Sequence, residues 1–267
     1  MANKKIGVLG GNGYIGKYLS ENLTGNVVSV TRKDVDLLDT QAIFRYLEKQ
    51  QFDVIIGSAK HAEYPLADRT DIASTNLALF TNVYAARGHY GRYINLGSGA
   101  EYDRRYDISL VKEDDLTKFF PMDGYGLSRN TISRICQSNA EFEFYTVRLF
   151  GVLHYTEPPA KLFRKLFSNP TRLQLRDSVF DYISMQDICT LIQYYCDADA
   201  PKYQDINAVY FDHSTLYTQV QTFKEIHGLN TAIHIVSEGL DYYGCGKKLK
   251  DLNLKLAGLE QSMKEYR

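Results

Sequence analysis

The chain has 267 residues, 44% of them hydrophobic and 24% charged, and its 31 basic side chains offset 32 acidic ones to a formal net charge of −1. That composition belongs to an ordinary soluble globular protein; it excludes a disordered tail and a strongly basic nucleic-acid binder, so an anionic ligand must be met by local cations. Cys136, Cys189, Cys196 and Cys245 form neither a CxxC pair nor a zinc-ligand spacing, the start does not resemble a secretory leader, and no apolar run approaches the roughly 20 residues that cross a bilayer, which predicts a reduced, cytoplasmic, metal-free protein.

"KKIGVLG" (4–10) predicts a short apolar strand, and "YIGKYLSENL" (14–23) the helix that follows it. A second strand, "NVVSVT" (26–31), precedes a helix at "TQAIFRYLEKQ" (40–50), and a third, "FDVIIGSA" (52–59), precedes a helix within 72–88. "RYINLGS" (92–98) reads as a buried strand, a helix covers about 124–138, and "FEFYTVRLF" (142–150) is a fifth strand. Strands alternating with helices predict a parallel sheet covered on both faces, the doubly wound α/β (Rossmann) architecture, in a domain of 1–152 that also receives about 180–211. Beyond it the rhythm breaks. "TEPPA" (156–160) is a turn, "AKLFRKLFS" (160–168) a short basic helix, and 212–267 a mixed segment with a polar C-terminal helix, so 153–267 is expected to be mainly a smaller lobe over the strand ends.

Between the first strand and the first helix lies "GGNGYIG", with Gly10, Gly13 and Gly16 at three-residue spacing. Glycines there permit a tight turn, close approach of backbone to a pyrophosphate and close packing of helix on strand, while the helix start supplies unpaired N–H groups. Gly10, Asn12, Gly13, Tyr14, Ile15 and Gly16 are therefore the candidate dinucleotide loop; the plainer alternative is glycines that only mark a turn. At the end of the second strand a carboxylate would hold the ribose 2′-hydroxyl of NAD, whereas an arginine accommodates the 2′-phosphate of NADP. The chain carries Thr31, Arg32 and Lys33 there, which favours NADP; the alternative is a solvated basic turn paired with Asp34 or Asp36.

With that loop in place, "TNLALFTNVYAA" (75–86), "NLGSGAEY" (95–102), "YGLSR" (125–129), "FDYISMQD" (180–187) and "YYGCGKKLKDLNL" (242–254) complete a pattern over nearly the whole length. The chain resembles the extended short-chain dehydrogenase/reductase family, the nucleotide-sugar epimerases, dehydratases and reductases. The resemblance implies that Ser98, four residues before Tyr102, binds a substrate oxygen, and that Tyr125, 27 residues beyond Ser98, is the acid-base catalyst. A serine can donate to a ketone oxygen, and a tyrosine can deliver or remove the proton as hydride moves between nicotinamide and carbon. The family carries a lysine four residues past the tyrosine, where it lowers the phenol pKa and bonds the nicotinamide ribose; this chain has Arg129. Moving a phenol from about 10 to about 7 takes roughly 4 kcal/mol, and a unit charge at about 4 Å in an effective dielectric near 20 supplies about that much. Arg129 can thus serve Tyr125, but its planar fork cannot copy the ribose hydrogen bonds, so an active but altered site is expected. The plainer alternative makes Tyr125 one of 21 tyrosines and Arg129 its surface neighbour one helical turn on.

The resemblance also narrows the reaction. Family dehydratases place an acidic pair where this chain has Gly99 and Ala100, and the bifunctional epimerase-reductases of the GDP-fucose type place a cysteine base where Ala100 sits. Glu101 is expected, by strand alternation, to face away from Ala100 in a structural role. Carbonyl reduction with NADPH leads, with a nucleotide-linked 4-keto sugar as substrate; 4-epimerisation with bound NAD(P) and a non-catalytic dinucleotide sensor stay open. The substrate pyrophosphate needs cations from the small lobe, where Lys161, Arg164 and Lys165 share a helical face and Arg172 and Arg176 follow. Arg176 is the individual choice. His61, in the loop after the third strand, is a candidate to approach the nicotinamide, the plainer alternative being an incidental loop histidine; Asn76 matches a family asparagine, with a structural role as the equal alternative. The resemblance alone implies that a homodimer is possible, since family members often pair through helices of the large domain and "YGLSRNTISRICQ" lies on one such helix.

Overall fold

The computed structural model describes residues 4–61 and 71–267. In chain order the elements are β1 (Lys5–Leu9), α1 (Tyr14–Asn22), β2 (Asn26–Val30), α2 (Thr40–Gln50), β3 (Phe52–Gly57), α3 (Asp71–Ala85), β4 (Tyr90–Ser98), β5 (Ile108–Val111), α4 (Gly124–Gln137) and β6 (Phe144–Leu149). There follow β7 (Gly151–Leu153), α5 (Leu162–Phe167), β8 (Arg172–Asp177), β9 (Tyr182–Ser184), α6 (Met185–Asp197), β10 (Asp205–Ala208), α7 (Leu216–His227), β11 (Ala232–Glu238), β12 (Tyr242–Gly244), α8 (Lys247–Asp251) and α9 (Leu259–Lys264).

Six parallel strands form the central sheet in the order β2-β1-β3-β4-β6-β10. Alternation of side chains along each strand sends one set to each face. Ile6, Val8, Val54, Ile56, Ile94 and Val147 pack with α1 and α6, whereas Leu9, Phe52, Ile55, Tyr93 and Phe144 pack with α2, α3 and α4. Strands buried on both faces are mostly apolar, which is why these segments stand out in the sequence, and the buried polar residues among them, such as Asn95 and Arg148, need partners.

The strand order reverses at β1. The chain leaves β1 for β2 on one side and returns to β3 on the other, and a crevice opens at the carboxyl ends of strands on either side of such a reversal. The loop after β1, the residues following β3 and the end of β4 are gathered there.

The remaining strands form three two-stranded sheets, β11-β8, β12-β5 and β7-β9. Leu153, Phe163, Leu166, Val220, Phe223 and Met263 make a separate apolar cluster in the C-terminal half. The expected polar C-terminal helix is instead two short ones, α8 and α9, with Gly258 at φ +86° opening the second. The pairing of β8 with β11 was not foreseen, because both strands are largely exposed and carry no continuous apolar run.

Candidate active site

β1 ends in a turn that only glycine completes. Gly10 has φ +81°, and a Cβ there would lie 2.7 Å from the Ala59 Cα and 2.8 Å from the Ala59 nitrogen. The Gly10 and Gly11 N–H groups both donate to the Val30 carbonyl, at 2.9 and 3.1 Å, tying the loop to the end of β2. Gly13 begins α1 without a side-chain cap, and a Cβ on Gly16 would sit 2.4 Å from the Gly10 carbonyl oxygen. The first turn of α1 therefore meets the crevice with free backbone N–H groups and no side chain in the way, a cradle that fits a pyrophosphate. Asn12 and Gly13 are exposed, as that use requires. Tyr14 and Ile15 instead pack their side chains against the core, and the Tyr14 hydroxyl is buried without a hydrogen-bond partner, so both offer the loop their N–H groups only.

At the end of β2, Thr31 donates to Asp34 through its N–H at 2.8 Å and its hydroxyl at 2.7 Å. Those bonds hold the Asp34 carboxyl below its usual range. Arg32 and Lys33 are exposed and make no ion pair among the described residues, so the pairing with Asp34 or Asp36 is not formed, although the Lys33 charge helps to lower Asp34.

Ser98 closes β4 and caps the short 3-10 turn Gly99–Tyr102. Its hydroxyl accepts from the Ala100 N–H at 3.2 Å, and its own N–H donates to Glu101 Oε1 at 2.8 Å. Glu101 is thus structural, as expected, but for another reason. It lies on a turn rather than a strand, so alternation does not aim it; the backbone reverses and carries its carboxylate beneath Ser98. There Arg148 of β6 donates to it at 2.6 Å, with both side chains fully buried. Arg148 also donates to Asn207 Oδ1 at 3.0 Å.

Tyr125 reaches Ser98 because α4 packs tightly on the same turn: a Cβ on Gly126 would come 2.7 Å from the Ala100 carbonyl oxygen. Asp123 caps α4 by accepting from the Gly126 N–H at 2.7 Å, and its carboxylate pairs with Arg104 at 2.8 Å. Three cations surround the Tyr125 ring: Lys60 Nζ at 5.3 Å from its centroid, Arg129 Cζ at 5.5 Å and Arg104 Cζ at 5.8 Å. Burial alone would raise the phenol pKa, but the charges of Lys60 and Arg129, with hydrogen bonding from Ser98 and Lys60, outweigh it and leave Tyr125 more acidic than an ordinary tyrosine. Tyr242, which also hydrogen-bonds Ser98, shows the opposite result, since burial dominates and pushes its pKa up.

Ser98, Tyr125, Lys60, Arg104, Lys161 and Tyr242 line one open cleft of about 490 Å³, walled further by Phe150 and Phe180. Ala100 also faces it. Of the basic residues singled out in the small lobe, Lys161 is in the cleft; it caps α5 rather than lying within it. Arg164 is engaged elsewhere, donating to the carbonyls of Tyr155 and Arg267 at 3.2 Å. Arg172 and Arg176 are exposed on β8 and are not among the residues lining the cleft. Arg129 is buried and lines a separate small cavity with Asn76, Asn95 and Tyr93.

Asn76 is structural. Its Oδ1 accepts from the His61 N–H at 2.8 Å and its Nδ2 donates to the His61 carbonyl at 3.3 Å, clamping the chain just beyond β3. His61 is thereby held through its backbone. Lys60, beside it, is the functional candidate that sequence reasoning missed. The available signal was its place three residues past β3, at the reversal of strand order.

The profile of the NAD dependent epimerase/dehydratase family matches residues 6–208. A GDP-L-fucose synthase from Azorhizobium caulinodans is 27% identical over 146 residues, a match spanning 50% of this chain and 46% of that protein. Among solved structures, a GDP-mannoheptose C4 reductase from Campylobacter jejuni with NADP bound superposes with a TM-score of 0.82 at 20% identity, covering 99% of this chain and 97% of that one. A GDP-D-glycero-L-gluco-heptose synthase from the same organism, solved in the presence of NADPH, gives a TM-score of 0.83 at 17% identity over 99% and 97%. At such identities the likeness shows the doubly wound fold. No helix among the described residues is long and apolar enough to cross a membrane.

Proposed function

The chain belongs to the NAD dependent epimerase/dehydratase family, and from that premise we propose that it is an NADPH-dependent reductase of a nucleotide-activated 4-keto sugar. The observation that carries the proposal is a phenol made acidic by neighbouring cations, in one cleft with a serine hydroxyl and next to a phosphate-binding cradle. The Rossmann part, 1–152 with about 180–211, holds the dinucleotide, and mainly 153–267 holds the sugar nucleotide.

NADPH, when bound, supplies the hydride. The N–H groups of Tyr14, Ile15 and Gly16 hold its pyrophosphate, with the Gly13 N–H tied to the Gly10 carbonyl at 2.9 Å, and Arg32 meets the 2′-phosphate while Thr31, bonded to Asp34, shapes the turn that presents it. Ser98 donates to the substrate carbonyl and orients it. Tyr125 Oη gives its proton to the oxygen that becomes the alkoxide, and the resulting phenolate is stabilised by the Lys60 and Arg129 charges. Of the candidate cations for the substrate diphosphate, Lys161 is better placed than Arg176, because it faces the cleft. Ala100 presents a methyl group where an epimerising base would have to stand, which supports reduction without inversion at neighbouring carbons.

The relatives that act on GDP-linked sugars make those the first to assay. Oxidation of NADPH is followed with GDP-, UDP- and dTDP-linked 4-keto sugars, in deuterated water and with Tyr125→Phe as control. The expected result is stoichiometric oxidation, no deuterium at carbons flanking the ketone, and a loss of about 10²- to 10⁴-fold in kcat for the phenylalanine variant. Full turnover by Tyr125→Phe would overturn the proposal. Tight NAD retained through purification would favour the epimerase.

A further inference from the structure

Two cations approach Tyr125 from different cavities. Arg129, at the position where the family resemblance calls for a lysine, is 4% exposed, and its Nε has no hydrogen-bond partner among the described residues. It faces the small inner cavity rather than the cleft. Lys60 stands in the cleft itself, with Ser98 and Tyr125, and its ammonium is 5.3 Å from the ring centroid. Its placement is built: Asn76 grips both backbone polar groups of the next residue, His61.

We propose that Lys60, delivered from the end of β3, is the ammonium partner of Tyr125, and that Arg129 is a fixed charge behind the ring. The inference rests on Tyr125 being the acid of the proposed reduction. A compact ammonium on a flexible stem can follow the phenol oxygen as it becomes anionic, whereas a buried guanidinium in a close-packed cavity cannot. It also explains how arginine became tolerable at position 129: the charge that must touch the phenol on the cleft side comes from another strand end. Lys60 acts through Tyr125 and is a positioning residue.

The test reads Tyr125 directly. Tyrosinate absorbance of the ligand-free protein is titrated, and the curve of Tyr125→Phe is subtracted to isolate that phenol from the others. Because Lys60 is exposed, its charge is partly screened, so Lys60→Met is expected to move the midpoint up by about one pH unit. Lys60→Arg should restore it. In turnover, the alkaline limb of kcat/KM for reduction should move up with the midpoint, because removing the cation raises the pH at which the acid loses its proton. At neutral pH kcat should fall about tenfold with little change in KM for NADPH. A midpoint unmoved by Lys60→Met but moved by Arg129→Met overturns the proposal. If Tyr125→Phe keeps its turnover, the reductase reading fails, and the titration of the ligand-free chain still decides whether Lys60 and Tyr125 are coupled.

Discussion

Replacing Arg148 by methionine would remove a fully buried guanidinium whose Nε donates to Glu101 at 2.6 Å and whose Nη1 donates to Asn207 at 3.0 Å. Methionine fills most of the stem volume, so the loss is chiefly electrostatic. Glu101 would be left as a buried charge supported mainly by the Ser98 N–H. Two charges with centres about 4 Å apart in an effective dielectric near 20 attract by about 4 kcal/mol, and removing one partner of a buried pair costs about 3–5 kcal/mol. Against a total stability of about 5–15 kcal/mol this is a large fraction. At about 2–4 °C per kcal/mol for a chain of this size, Arg148→Met should melt about 8–16 °C lower. Calorimetry and urea unfolding check the value. Adding Glu101→Gln neutralises the stranded carboxylate while keeping an oxygen for the Ser98 N–H, so the double variant should recover about 2 kcal/mol over the single one. A melting temperature within about 2 °C of the parent for Arg148→Met would refute the reasoning, as would a double variant less stable than Arg148→Met alone.

Gly16→Ala places a Cβ 2.4 Å from the Gly10 carbonyl oxygen and must push α1 off β1; NADPH affinity, read by fluorescence titration, should drop on the order of tenfold or more with the fold retained. Arg32→Glu exchanges a cation with no ion pair among the described residues for a repelling carboxylate. The loss of a charge-assisted bond of about 1.5–3 kcal/mol should weaken NADPH by about 10- to 100-fold while sparing NADH, measured as the ratio of dissociation constants. Glu157 has its carboxyl raised above the usual value of 4.5, by burial first, with the Tyr266 hydrogen bond opposing the shift. A raised folded-state value favours the protonated form in the fold, so this contribution to stability is present below 4.5 and is lost as pH rises through the raised value. Glu157→Gln should flatten that decline in urea midpoints taken from acid to neutral pH.

The parts of the site that were legible in the sequence are those whose meaning is local. A glycine loop between a strand and a helix, a serine closing a strand and a tyrosine opening a helix each declare their geometry within a few residues. Lys60 and Tyr125 are 65 positions apart, and only the sheet order brings them together; no periodicity or capping signal encodes that. Glu101 was assigned the right part for the wrong reason, because a 3-10 turn follows β4 where continued extension was assumed. Arg148 could have been flagged: an arginine inside "FYTVRL", a segment otherwise fit for burial on both faces, requires an acidic partner. The shared helical face of Lys161, Arg164 and Lys165, and the place of Arg176 just before "FDYISMQD", do not tell a side chain turned to the cleft from one bonded to nearby carbonyls.

The contact between Gly10 and Ala59 sets a rule for genetics. A methyl group at position 10 would collide with two main-chain atoms of residue 59, Cα at 2.7 Å and N at 2.8 Å, harder than with its Cβ at 3.1 Å. Trimming Ala59 to glycine leaves those two atoms where they are. Second-site revertants of Gly10→Ala should therefore never arise at codon 59; they should map to residues that let one of the two backbone segments move aside.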